Sequence, residues 1–343
     1  MHSGIDPTSR FWRALVAFVL MALSSVAFAG VLTLYVSPHG SDKASGSEPG
    51  QALRSVQKAF ELAYVAASKQ DLDRVRIEVA PGRYLGQRIK VRQPPAGVHF
   101  EVSAQPGAES RPIFDGNGKG GTWFILQAAT QNGARFTFSG LEVAKYRTAL
   151  SFNGKRDDVG KYLGDNVIEN MVFRDIGQIA KQGSRPSTAA VRLVNARNNI
   201  IRDNMFINIR NEERCELLHS IYVAHHSSGN QIIGNTFDNV CGSPIRLRDR
   251  SNDNVASGNT FRQVNSNAVF DEWYCNSSRN RKCTKQRAEC PSWGNRYEDN
   301  KIENSSSSAT REPTVVRVPE IATACVSATA RTLNIPRERI VAP

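Results

Sequence analysis

Residues 221–237 read IYVAHHSSGNQIIGNTF and residues 245–261 read IRLRDRSNDNVASGNTF. They are one unit written twice, with Ile221 over Ile245, Val223 over Leu247, Asn230 over Asn254, Asn235 over Asn259 and Phe237 over Phe261. Each copy is a short apolar alternation, a polar corner, a second short alternation and then Gly-Asn-Thr-Phe. His219, His225 and His226 gather at the first copy, and Arg246, Arg248 and Arg250 at the second. A scaffold repeat therefore carries the densest set of reactive side chains in the chain.

Outward from this pair the unit recurs as NVIENMVFRDI, NIIRDNMFINI, NQIIGNTFDNV, NVASGNTFRQV and NRYEDNKIENS. The pattern N-x-[IVA]-x-x-N-x-[FI] puts its second Asn at Asn170, Asn204, Asn235, Asn259 and Asn300, with Gly140 in that place in an earlier copy. Spacings run from 24 to 41 residues, so about 24 is the bare unit and longer ones carry loops. Short alternating strands with Asn corners at such a period predict a solenoid. Asn accepts left-handed backbone at corners, and stacked Asn side chains can bond one another in a ladder. The expected fold is all-β, a β-helix whose coils touch only their neighbours; a β-sandwich with coincidental Asn spacing is the competing reading.

Leu53, Val56, Ala59, Phe60, Ala63 and Tyr64 recur at helical spacing and predict one amphipathic helix ending near Ala67. It is placed to plug the N-terminal end of the core. Leu32–Ser37, Arg76–Ala80, Tyr84–Val91 and Val98–Ser103 read as short strands. Phe11–Phe28 is apolar, follows Arg10 and ends in Ala27-Phe28-Ala29, the pattern of a secretory signal peptide cut near Gly30. An uncleaved membrane anchor is the alternative, against which the run is marginal for a span of about 20 residues. The expected organisation is residues 1–29 as signal peptide, 30–304 as β-helix with its N-terminal cap, and 305–343 as C-terminal cap or tail. The mature protein is expected to be periplasmic or secreted, with no stable membrane insertion.

All six cysteines lie after residue 210. In an exported chain an even number points to disulfides, and Cys215 and Cys241 follow equivalent parts of neighbouring repeats, so they are expected to pair. No Cys/His ligand spacing suggests zinc. The net charge is +12, or +11 without the leader. For an exported protein that favours an acidic polysaccharide as partner. Basic patches interleaved with stacking aromatics are not evident, which argues against nucleic acid.

LYVSPHGSD, SVQKAFELA, VAPGRY and the DGNG of Asp115–Gly118, followed by Asn-cornered coils, resemble secreted right-handed parallel β-helix proteins of the pectate-lyase-like superfamily. The paired units at 221–261 are similar, more weakly, to alginate- and chondroitin-type polysaccharide lyases. There a Lys stands four residues before the corner Asn, and an Arg stands in the next coil within L-R-H-G. The resemblance places His226 at the Lys position and Arg248 at the Arg position. It departs in having His for Lys, Asp249-Arg250 for His-Gly and a corner one residue longer. That family's acidic calcium ligands fall here on His219 and Ile221, which do not ligate calcium. No metal or other cofactor is therefore expected.

β-Elimination from a uronate needs a cation to neutralise the carboxylate, a base for the C5 proton and an acid for the leaving oxygen. Arg suits the first, since its planar fork keeps its charge. His and Tyr suit the proton steps. With Ile221 and Val223 inward, Tyr222 points out, beside Arg246 at the strand spacing of about 4.8 Å. The catalytic candidates are His226, Arg248, Tyr222 and Arg246; the substrate-binding candidates are His219, His225, Arg192, Arg250 and Trp273; no metal ligands are assigned. Plainer readings compete. In these the histidines are solvated corner residues, and the arginines pair with Asp249, Asp253 and Glu216. Asp271 and Glu272 are either orienting groups or turn residues, and the charged insertion Lys155–Asp158 is either a groove wall or a solvated loop. The expected function is a metal-independent polysaccharide lyase on a uronate-containing polymer. A uronate C5-epimerase and a non-catalytic carbohydrate-binding or assembly protein are the alternatives.

Overall fold

Strands that alternate apolar and polar residues must bury one face, and a narrow coil closes that face on itself. The computed structural model describes residues 30–128, 132–177, 186–266, 268–275 and 289–303. It is a parallel β-helix with three long sheets of nine, eight and seven strands and one two-stranded sheet, Leu163–Gly164 with Ala196–Arg197, among these residues. Each coil visits the sheets in the same order, as in Gln231–Ile233, Thr236–Val240 and Ile245–Arg248. The repeat fixes the register: Ile221 pairs with Ile245, Val223 with Leu247 and Phe237 with Phe261. The proposed signal peptide (1–29), the C-terminal segment (305–343), Cys283 and Cys325 lie outside the described residues.

The core is a set of columns. Phe173, Phe206, Phe237 and Phe261 are fully buried and stack at 4.8, 5.0 and 4.9 Å between centroids. That is one strand spacing, so identical residues meet in successive coils. Burial of each ring stabilises by about 2 kcal/mol.

Two further columns are made of Asn. In one, Nδ2 donates to the next coil's Oδ1 from Asn166 to Asn199, Asn230, Asn254 and Asn295 at 2.7–2.9 Å. In the other, Asn204, Asn235, Asn259 and Asn300 are joined the same way at 2.8–3.0 Å. Asn170 and Gly140 do not belong to this second column. Asn170 stands four residues after Asn166, whereas Asn204 stands five after Asn199. The column continues instead through Met171, whose N–H donates to Asn204 Oδ1 at 2.9 Å. Leu141 takes the same place one coil earlier. Asn170 and Gly140 fall one position before it, on the left-handed corner at φ 49° and 74°, where Gly234 and Gly258 have φ 65° and 63°. One backbone corner therefore recruits Gly, Asn or Asp while the next residue supplies the ladder.

The helix runs from Val56 to Ala67, starting later than Leu53 because Ser55 caps it by accepting from Lys58 N–H at 3.2 Å. Leu53 instead bridges to Val36. Phe60 packs on Phe100, Phe124 and Phe136 at 5.5–6.1 Å, so the helix covers the N-terminal end of the core. The stretch expected as one strand at Tyr84–Val91 is two, Gly82–Leu85 and Ile89–Arg92, in different sheets. Gly86, at φ 65°, turns the chain between them. Cys215 and Cys241 form the expected disulfide, with Cα atoms 5.5 Å apart, and Cys275 and Cys290 are also disulfide-bonded.

Candidate active site

The third sheet carries the repeat's unusual residues. On its outer side Ser151, Arg192, Tyr222, Arg246 and Asp271 form one row, each paired in register with the next. Asn153, Val194, Ala224 and Arg248 form the row beside it. Tyr222 thus has Arg192 on one side and Arg246 on the other. The Arg248 Nη1 group donates to its hydroxyl oxygen at 2.9 Å. A guanidinium accepts nothing, so the phenol's own proton points elsewhere.

The three guanidinium groups around Tyr222 are not equivalent. Arg248 gives Nε and Nη2 to the two oxygens of Glu289, both at 2.7 Å, and lies 4.4 Å over the ring of Trp273. Desolvation works against its charge, but the Glu289 carboxylate outweighs it and raises its pKa. Arg246 is ion-paired with Asp271. Arg192 has no carboxylate partner among the described residues. It donates to Ser151 Oγ at 3.0 Å and to Asn153 Oδ1 at 3.3 Å, and is held half-buried. Desolvation and then the nearby Arg147 lower its pKa, while Tyr222 opposes them.

The two corner histidines diverge. Their backbone N–H groups donate to Arg248 and Asp249 carbonyls at 3.0 and 2.9 Å, which fixes the corner against the next coil. Both have positive φ, 53° and 65°. His225 turns in: it is buried and its Nδ1 lies 3.0 Å from Asp249 Oδ2. Burial pushes the Asp249 pKa up, but the His225 hydrogen bond and Arg250 more than reverse this, so it stays ionised. His226 is half-buried beside His225 and among the charges of Asp249, Arg250 and Arg197. Desolvation lowers its pKa, so it is neutral at physiological pH. His219 is buried; its Nδ1 lies 2.9 Å from the Ser243 carbonyl and its ring stacks on Tyr222 at 5.6 Å. The carbonyl requires the proton on Nδ1, leaving the Nε2 lone pair bare.

The expected arginine partners are corrected in two cases. Arg250 does pair with Asp249, at 2.6 Å, but Glu216 bonds Arg214 instead. The partners of Arg246 and Arg248 come from the following coil, Asp271 and Glu289. Repeat spacing does not point to Glu289, which lies 41 residues from Arg248, past a cysteine-rich insertion. It also binds Arg156 at 2.9 Å, so the charged insertion reaches the site. His225, Asp249 and Glu289 bring ligand-type atoms within 4.8 Å of one another. Arg248 and Arg156 engage Glu289, and Arg250 engages Asp249. These carboxylates are therefore already matched by fixed cations, which suits a charge network better than a cation site.

No protein-family model matches this chain, and no curated protein does. Among solved structures it is similar to XylC in complex with xylose, at 10% identity and TM-score 0.34, over 84% of this chain and 72% of that one. It is also similar to ORF18 of Geobacillus virus E2, at 11% identity and TM-score 0.25, over 80% and 65%. The A-module of the mannuronan C-5 epimerase AlgE6 of Azotobacter vinelandii follows at 14% and 0.17, over 77% and 95%. Likeness at these scores carries nothing about chemistry, which rests on the residues above.

Proposed function

We propose that the protein cleaves a uronate-containing polysaccharide by β-elimination, as an exported enzyme with no resident metal. The observation that carries this reading is Arg192, half-buried, lacking a carboxylate partner among the described residues, and next in the row to Tyr222. A desolvated guanidinium held by neutral oxygens favours an incoming carboxylate. The arginines first expected in that role, Arg246 and Arg248, are already neutralised by Asp271 and Glu289.

With the uronate carboxylate on Arg192, the C5 proton becomes acidic. Tyr222 enters the step as phenolate, its own proton given up to solvent, and takes the C5 proton. The C5–H electron pair becomes the C4–C5 double bond, the C4–O bond breaks with its pair going to the leaving oxygen, and Tyr222 returns the proton to that oxygen. Arg248 donates to the Tyr222 oxygen and stabilises charge developing there. Trp273, 40% exposed, offers a stacking face. His226 stands among Arg197 and Arg250 at the corner, so the proton steps are assigned to Tyr222 and a substrate-contacting role to His226.

The test is to incubate the purified protein with polymannuronate, polyguluronate, polygalacturonate and glycosaminoglycans, and to follow the ultraviolet absorbance of the unsaturated product. A lyase gives that absorbance and loses it in Tyr222→Phe. A C5-epimerase changes uronate composition without cleavage. A binding protein does neither, and that result would overturn the reading.

A further inference from the structure

A polar cleft lies beside the Tyr222 site. It has a volume of about 560 Å³ and its lining includes Arg92, Gln93, Gln127, Asn153, Lys155 and Arg156. Three cationic and three amide side chains suit a carboxylated, hydroxylated ligand better than an apolar one. The register sets the cleft in line with the site. Arg92, Gln127 and Asn153 stand one strand apart in a single row, which continues through Val194 and Ala224 to Arg248. Five strand spacings make that row roughly 24 Å long. Of its middle positions Val194 is half-buried and Ala224 fully buried, so the two ends are joined through Asn153 and Arg156 rather than across an open floor.

Two bonds join the cleft to the proposed chemistry. Asn153 lines it and also accepts from Arg192 Nη2 at 3.3 Å. Arg156 lines it and donates to Glu289 Oε1 at 2.9 Å, on the carboxylate that holds Arg248. Among the described residues Arg92 has no carboxylate partner, and both Arg92 and Gln127 are exposed.

We infer that this cleft binds further acidic sugars of the same polymer, on the side of the N-terminal coils, so that the protein engages a chain of several uronates. This rests on the proposed function for the substrate class and adds where the rest of the chain lies. A small acidic sugar would need only Arg192 and its neighbours, whereas a polymer would gain from Arg92 and Gln127 as well.

The test is calorimetric titration of uronate trimers and decamers, prepared from the polymers above, into Tyr222→Phe protein, which does not consume them, with and without the further pair Arg92→Ala/Gln127→Ala. Both further side chains are exposed, and a circular dichroism melt verifies that each variant folds. The protein with Arg92 and Gln127 in place is expected to bind one decamer at least about tenfold more tightly than its trimer, the worth of one extra charge-assisted contact. The added pair should abolish that advantage and leave trimer affinity unchanged. Equal trimer and decamer affinity with Arg92 and Gln127 in place, or an equal loss for both on replacing them, overturns the inference and leaves the lyase reading intact. Length-dependent binding with no unsaturated product from the wild type overturns the lyase reading alone. Absence of binding by every uronate oligomer overturns both.

Discussion

Replacing His219 by Asn should make the protein less sensitive to acid. The His219 ring is buried, held by the Ser243 carbonyl at 2.9 Å and stacked against Tyr222. Burial first, and then the Arg246 charge, pull its pKa from 6.5 down to about 3, with the Ser243 hydrogen bond opposing them. The unfolded chain takes up this proton near pH 6.5, whereas the folded chain refuses it until about pH 3. Between those limits the unfolded state holds one proton more, so stability is full above the unfolded value and falls as pH falls. Each pH unit costs about 1.4 kcal/mol, which makes the His219 contribution about 2 kcal/mol at pH 5. Asn retains an N–H donor for Ser243 and cannot titrate. Urea unfolding midpoints, followed by far-ultraviolet circular dichroism from about pH 8 to pH 5, give the difference between wild type and variant. That difference should shrink by about 2 kcal/mol toward the acid end. Parallel loss of stability in the two proteins would refute the assignment of a neutral, buried His219.

Arg192→Ala should lower turnover on uronate polymers by about a hundredfold or more while leaving the melting curve in place, and Arg192→Lys should restore part of it, because the lost group acts on charge developing in the reaction. Replacing Cys215 and Cys241 together by Ala should cost about 3.5 kcal/mol, the loop-closure entropy for a separation of 26 residues, read from urea midpoints. Incubation with a chelator should leave lyase activity unchanged, since the carboxylates of Asp249 and Glu289 face arginines; recovery of lost activity on adding calcium would contradict the metal-free reading.

The solenoid was readable because a coil repeats its own contacts. A residue that stacks on its copy must recur at the coil period, so Asn235 over Asn259 and Phe237 over Phe261 announce the axis directly. The same logic misplaced Asn170 and Gly140, since the left-handed corner and the ladder sit next to each other and both accept Asn. The rows were equally legible: Tyr222 beside Arg246 follows from alternation and one aligned pair. The pairing of charges was not. Arg248 meets Glu289 across 41 residues and Arg156 meets it across 133, through insertions that carry no repeat. Which arginine is left for a substrate therefore depended on carboxylates that periodicity cannot locate.

The Asn columns have a direction. Asn235 Oδ1 receives both the backbone N–H and the Nδ2 of Asn204, at 3.0 and 2.9 Å. Toward the other end, Asn235 gives its own backbone N–H to Asn259 Oδ1 at 2.9 Å, a bond that survives loss of the side chain. A vacancy at Asn235 thus strands two donors in the coil before it and leaves the coil after it with a donor still in place. Injury to this column is one-sided, transmitted against the direction of the chain. Coils nearer the N-terminus, including the one that presents Arg192, depend on those that follow them for the pairing of their corners.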